Sequence, residues 1–473
     1  MLFLAAQFND TGLLTEFIKM KDLSVGKESR LIFQFAVPML VGNVFQQLYN
    51  IIDSVVVGNY VGKEALAAVG ASFPFIFTLV SLVIGIAIGS TIIISQYFGA
   101  RDIGNVKKTI DTLYIFMFFT SIAVSFIGIA FARPIFQLIR LPEDIMPYAI
   151  DYLQVYMTGT IFFFGFNSIS AILRGLGDSR TPLYFLIIST VLNVILALLF
   201  VVGFHWGVKG SAWATVISQA VAFILAVIYL NRTHEVINLS WRKLDFDRAI
   251  MKKSIQIGFP VGFQQAFVAM SMMAMYWLVD RFGTNTTAAY SVVFRIDSFA
   301  AMPAMNFAMA LSAFVGQNLG ANKPERVKKG FHSTLYMTWI ISAGISLVCI
   351  LFGAQIMRLF TDDPEVISIG RGYLHTVTGF YVFFSTMFIV GGVMRGAGDT
   401  FLPMIFTFIA LWVIRIPLGY YMSEHLGPAG IWWAIPIAWV IGLSMSYSYY
   451  LTGRWKRKKL IAGPGRQSLP EEE

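Results

Sequence analysis

Long apolar runs separated by short polar gaps divide this chain from end to end. They lie near residues 31–57, 66–98, 109–138, 146–173, 181–204, 209–231, 253–280, 286–318, 330–360, 370–394, 401–422 and 430–452. Each supplies at least the ~20 helical residues that a hydrocarbon core requires. None shows the short apolar–polar alternation of barrel strands. The pattern predicts an all-α integral membrane protein with twelve transmembrane helices.

The polar punctuation is written twice. Ile172–Phe185 reads ILRGLGDSRTPLYF, and Val393–Phe406 reads VMRGAGDTFLPMIF, an offset of 221 residues. Gln96 returns at the same offset as Gln317, Gly99 as Gly320, and Val106, Lys107 and Lys108 as Val327, Lys328 and Lys329. Six spans per copy is an even number, so the second copy enters from the same side as the first. Two six-helix bundles related by a parallel internal repeat follow, with the functional site expected within or between them. The expected organisation is an N-terminal segment 1–28, a first lobe 29–231, a linker 232–250, a second lobe 251–453 and a basic then acidic tail 454–473.

Composition fits a bilayer, with 57% hydrophobic residues, 13% charged and a mean hydropathy of +0.69. The net charge of +9 needs no nucleic-acid partner once it is sorted by side. Of the 35 Lys and Arg, 26 fall in the tails and even-numbered gaps and seven in the odd-numbered gaps. The positive-inside rule then places both termini in the cytoplasm of a multi-pass cell-membrane protein. Cys349 is the single cysteine and implies no disulfide. MLFLAA is too short for a signal peptide, and residues 1–27 read as a surface helix or, alternatively, Met20 as the start.

Polar residues inside spans carry the candidate chemistry. In span one Asn43, Gln46, Asn50 and Asp53 share one helix face. A carboxylate in a span faces a partner or a water-filled cavity, because lipid exposure costs a few kcal/mol. A purely structural hydrogen-bond ladder capped by Asp53 is the competing reading. Ser189 and Asn193 in span five, and Ser211, Thr215 and Ser218 in span six, offer matching oxygen-rich faces. Met270, Met273, Met302, Met305 and Met309, with Gln46, are candidate substrate contacts, since thioethers re-pack around varied apolar shapes. They fit core packing equally well. Arg295, Asp297 and Arg415 also lie in spans, and an Asp297–Arg415 ion pair would be structural. In the two RGxGD segments Gly permits tight turns, Pro182 and Pro403 start the next helix, and Arg and Asp are expected to hold the turn by charge-assisted hydrogen bonds.

Together, the two RGxGD copies, PMLVGNVFQQLYNIIDSVVVGNYVG in span one, GQNLGANKPERVKKG after span eight and LWVIRIPLGYY in span eleven resemble the multidrug and toxic compound extrusion (MATE) family, across Leu31–Arg454. The resemblance implies two six-helix lobes forming a V, no cofactor, and export of organic cations or amphipathic drugs by a monomer in exchange for H⁺ or Na⁺. It implies that Asp53 is the coupling acid with Asn193 and Thr215 at the same site, the three being metal ligands if the ion is Na⁺; Asn50, on the Asp53 face of span one, is expected to help. The Asp of the family's NxxxD pattern is Ala197 here, which leaves one carboxylate and tilts the expectation toward H⁺. The Glu and Asp of the NorM-like branch are replaced by Gln264, Gln265 and Phe384, so the chain looks DinF-like. Pro38 is the expected bending point of span one.

Two other classes compete with this reading. A lipid-linked oligosaccharide flippase would need several Arg or Lys lining a large cavity, and only Arg295 and Arg415 lie within spans. A membrane-embedded enzyme would need a recognisable catalytic motif, and the spans contain no HExxH, nucleophile elbow or phosphate-cradling loop.

Overall fold

The computed structural model describes residues 21–233, 244–458 and 460. Twelve crossings run in chain order: α1 Glu28–Tyr60, α2 Lys63–Gly99, α3 Ile103–Ala130, α4 a bent pair Met146–Thr158 and Thr160–Gly175, α5 Arg180–Gly203, α6 Gly207–Thr233, α7 Arg248–Asp280, α8 Thr284–Gly320, α9 Pro324–Arg358, α10 Pro364–Ala397, α11 Phe401–Leu426 and α12 Pro428–Leu451. Carboxylate caps open several of them: Asp102 accepts from the Asn105 amide, Asp247 from Ala249 and Ile250, and Asp363 from Glu365 and Val366.

Three expectations change. The third apolar run is two elements, because α3 ends at Ala130 and Ala132–Leu138 is a separate short helix. The fourth crossing bends by 51° at Gly159. Pro38, the expected bending point, lies inside one uninterrupted helix. Backbone distortions include the π-helical turns Leu198–Gly203 in α5 and Ile409–Arg415 in α11, a kink at Phe352 in α9 and a 3-10 turn at Thr378–Phe380 in α10. Lys21–Lys27 is irregular rather than helical. The rest of the expected N-terminal surface helix, most of the linker and most of the C-terminal tail lie outside the described residues.

Small residues set the seam between the lobes. α2 packs against α7 and α8, and Gly85 and Gly89 meet Gly258 and Gly262 backbone to backbone. A Cβ on Gly89 would lie 2.6 Å from the Ser254 carbonyl oxygen. Such close approach is how membrane helices gain contact when water offers no hydrophobic drive. Gly99 and Gly320 abut the backbones of Gln317 and Gln96 in the same way. The seam is confined to one half of the molecule. Among the described residues, no cross-lobe hydrogen bond lies beyond the Asn43–Asn306 pair, 3.0 Å, toward the face opposite the chain ends.

The repeat is visible in the bonds themselves. Gln96 Nε2 donates to the Gly396 carbonyl and Gln317 Nε2 to the Gly175 carbonyl, each at 3.0 Å. Their side-chain oxygens accept from the backbone amides of Leu460 and Leu23, at 3.0 and 2.8 Å. Residues flanking the two bundles are thereby stitched into one closed face. Arg326 adds a bond to the Gly26 carbonyl, 2.7 Å, and an ion pair with Glu28, 3.0 Å. The second glycine of each RGxGD motif, Gly177 and Gly398, sits in the left-handed region at φ +87° and +93°, where a side chain would be strained.

Candidate functional site

Asp53 lies near the far end of α1 and is 6% exposed. Its carboxylate accepts a hydrogen bond of 2.5 Å from Ser211 Oγ at the start of α6. No ion pair reaches it among the described residues. One turn along α6 the Thr215 hydroxyl joins Tyr49 OH at 2.7 Å, and Asn193 Nδ2 donates to Thr215 Oγ1 at 3.4 Å. Three helices thus converge: α1 supplies Tyr49 and Asp53, α5 Asn193, and α6 Ser211 and Thr215. Burial penalises a carboxylate without a counter-charge, and the Ser211 hydroxyl is the side-chain donor that answers it here.

The predicted stripe on α1 does not share one environment. Asn50 is exposed and donates to Gln47 at 3.3 Å, so it does not join Asp53. Asn43 bonds across to Asn306, and Gln46 lines a cavity in the first lobe. The expected face of span six meets Asp53 through Ser211, whereas Tyr49 joins the cluster without having been among the expected residues. The available signal was spacing, since Tyr49 stands one turn before Asp53 and Ser211 one turn before Thr215.

Three cavities, about 190, 120 and 90 Å³, open between the helices. The largest belongs to the second lobe, the next to the first lobe, and the smallest joins them. Gln264, Gln265 and Met305 are shared by the first and third, and Met39, Arg174 and Met309 by the second and third. Met305 and Met309 are therefore cavity-lining, as expected. Met270 and Met273 are 53% and 62% exposed and line none of the three, and Met302 is packed in the core. Met272 lines the largest instead. It follows Gln265 and Val268 at helical spacing, which turns Met270 and Met273 away.

Asp297 and Arg415 both line the largest cavity, and no ion pair forms between them. Asp297 accepts from the hydroxyls of Tyr373 and Tyr381, while Arg415 Nε is buried without a partner. In the RGxGD motifs the arginine side chains do not hold the turn, and of the two acids only Asp178 bonds within it. Asp178 accepts from the Arg180 and Thr181 amides and from Thr181 Oγ1, and Asp399 from Tyr449 OH.

Two repeat-related bundles of apolar helices, closed on one face over a partly polar chamber, define a polytopic membrane transporter. The MatE family profile matches residues 38–199 and 260–421, one block in each repeat. The chain belongs to the MATE family, whose members are transporters, and it is not an enzyme. It is similar to the probable multidrug resistance protein YpnP of Bacillus subtilis, 31% identical over 94% of this chain and 99% of that protein. A second B. subtilis relative, the probable multidrug resistance protein YoeA, is 31% identical over 90% and 94%. The solved structure of a MOP superfamily transporter from Pyrococcus furiosus shares the fold, with a TM-score of 0.85 at 22% identity over 93% of this chain and 99% of that one.

Proposed function

We propose that this multidrug transporter exports amphipathic organic compounds, organic cations among them, by alternating access in exchange for H⁺, with Asp53 as the coupling acid. The observation that carries the reading is a carboxylate buried among helices with a single hydroxyl donor and no cationic partner among the described residues. Binding a proton removes its charge, lets α1, α5 and α6 pack more closely, and favours a state of low drug affinity. Drug and proton then need only favour opposite states, and a bias of ~1–3 kcal/mol is typical of such coupling.

The donor set bears on the ion. Na⁺ would draw on Asp53, Asn193 and Thr215, yet the Tyr49 and Thr215 hydroxyls bond each other and Asn193 turns a donor toward Thr215. One carboxylate with its neighbouring oxygens already engaged suits a proton better than a hard cation that gathers several ligands. With both termini cytoplasmic by the Lys and Arg distribution, the closed face is the cytoplasmic one and the lobes part toward the outside.

The test is dye accumulation in inverted membrane vesicles under an imposed gradient of either ion. A ΔpH, acid inside, should drive uptake of a fluorescent cation, and an Na⁺ gradient alone should not. Uptake driven only by Na⁺ contradicts the choice of ion, and no gradient-driven uptake contradicts the antiporter. The flippase reading gains arginines that the span assignment had placed at helix ends, but the cavities are small beside an oligosaccharide. Unchanged dye tolerance with altered lipid-sugar pools in cells would favour it.

A further inference from the structure

The two RGxGD arginines occupy equivalent places on opposite sides of the chamber. Arg174 and Arg395 both line the small cavity that joins the lobes; Arg174 also faces the first-lobe cavity and Arg395 the second-lobe one. Neither guanidinium makes a hydrogen bond or ion pair with any described residue, although the backbone carbonyls of both accept, from Gly177 and Gly398 respectively. The acids of their own motifs are committed elsewhere, Asp178 to the first turn of α5 and Asp399 to Tyr449. Each guanidinium carries five N–H donors in a fixed fork and no acceptor. Two such groups, part-buried on one cavity and without a counter-charge, repel each other and are eased by an anion that answers both.

The rest of the chamber does not supply that anion. Asp297 is the one carboxylate lining it, and it already receives two tyrosine hydroxyls. Arg415 adds a third guanidinium with a buried, unpartnered Nε. Three guanidinium groups against one carboxylate make the chamber cationic, which is the wrong sign for a site built around plain cations alone. The remaining lining pairs amides, Gln264 and Gln265, with apolar Met305, Met309 and Phe388.

We infer that the vault between the lobes is an anion subsite, in which Arg174 and Arg395 take the carboxylate of an amphipathic drug while its apolar body lies against the methionines. The guanidinium fork matches a planar carboxylate bidentately. The subsite also lies at the lobe seam, because Gly175 and Gly396, the residues that follow the two arginines, are the ones that accept from Gln317 and Gln96. A ligand held by both arginines bridges the two bundles where they touch. This inference rests on the exporter reading and adds to it a preference for compounds that carry an acid group, zwitterionic drugs included.

The test uses rhodamine B, which has a free carboxylate, and its ethyl ester, which is a plain cation of nearly the same shape. Binding is followed by fluorescence anisotropy on the full-length protein in nanodiscs, with empty nanodiscs as blank. Rhodamine B should bind roughly tenfold more tightly than the ester, as expected for a charge-assisted bidentate contact. The preference should vanish in the Arg174→Gln/Arg395→Gln double variant while ester binding persists, and partly return with Lys at both positions. Equal wild-type affinities, or an undiminished preference in a double variant that still binds the ester, overturns the subsite. The wild-type comparison stands even where the variants do not fold. In proteoliposomes, movement of the ester but not of rhodamine B leaves the exporter intact and removes the subsite, whereas movement of neither removes both.

Discussion

Gln96 and Gln317, the same position in two copies of the repeat, exchange hydrogen bonds across the lobe boundary in opposite directions. Each donates to the glycine carbonyl that follows the other lobe's RGxGD arginine, and each accepts from a backbone amide flanking the bundles. Replacing either by Leu removes two bonds and strands buried backbone groups, at ~1–3 kcal/mol for each unsatisfied group. Gln96→Leu and Gln317→Leu should therefore lower the midpoint of thermal unfolding by similar amounts. Their combined effect should depart from the sum, since both act on one seam. A pair of silent variants would show that the stitching does not hold the closed face.

Gly99 and Gly320 probe the same face by volume. An added methyl on either would sit inside the van der Waals surface of the facing backbone, where no flexible side chain can yield. Gly99→Ala should cost more than the ~1–3 kcal/mol of ordinary overpacking or else force the lobes apart. A cysteine at Ser95, buried in the parent protein, should then react faster with an impermeant maleimide. Gly70→Ala is the control, because nothing lies within 4 Å of its Cβ direction. Equal labelling of the two variants would contradict this account of the seam.

The Asp53 network makes a ranked prediction for dye efflux in cells. Ser211→Ala removes the one side-chain donor to the carboxylate and should impair efflux strongly. Thr215→Val cuts the bridge between Tyr49 and Asn193 and should impair it less. Asn50→Ala should transport as the parent does, since Asn50 is exposed and bonded to Gln47. A defect in Asn50→Ala equal to that of Ser211→Ala would reinstate the stripe that spacing alone suggests.

In the second lobe Asp297 is a structural acid held by two phenols. Tyr373→Phe and Tyr381→Phe each remove one hydrogen bond to a buried acid, a loss of ~1.5–3 kcal/mol where the acceptor is charged. Differential scanning calorimetry of the two variants checks this. An unfolding profile indistinguishable from the parent's in both would leave Asp297 without the partners assigned to it.

The parts of this molecule that obey one-dimensional rules were legible before any fold was known. Apolar run length marks all twelve crossings, and the 221-residue offset predicts that Gln96 and Gln317 are equivalent. Asp53 could be singled out because lipid does not tolerate a carboxylate. What spacing could not supply was which neighbour each face meets. Asn50 and Asp53 share a helix face, yet only Asp53 turns onto α6. Met270 and Met272 differ by two residues, and only Met272 reaches the chamber. Arg174 and Arg395 read as turn residues because their motif ends a helix, while the fold commits Asp178 to the turn and Asp399 to Tyr449 and leaves the arginines open to the vault.

Proton counting tests the central claim most directly. In a weakly buffered solution of the purified protein, adding a transported drug should release protons from the parent and none from Asp53→Asn, with drug binding retained in the variant. Equal proton release from both proteins, or none from the parent, would contradict Asp53 as the residue that couples proton and drug.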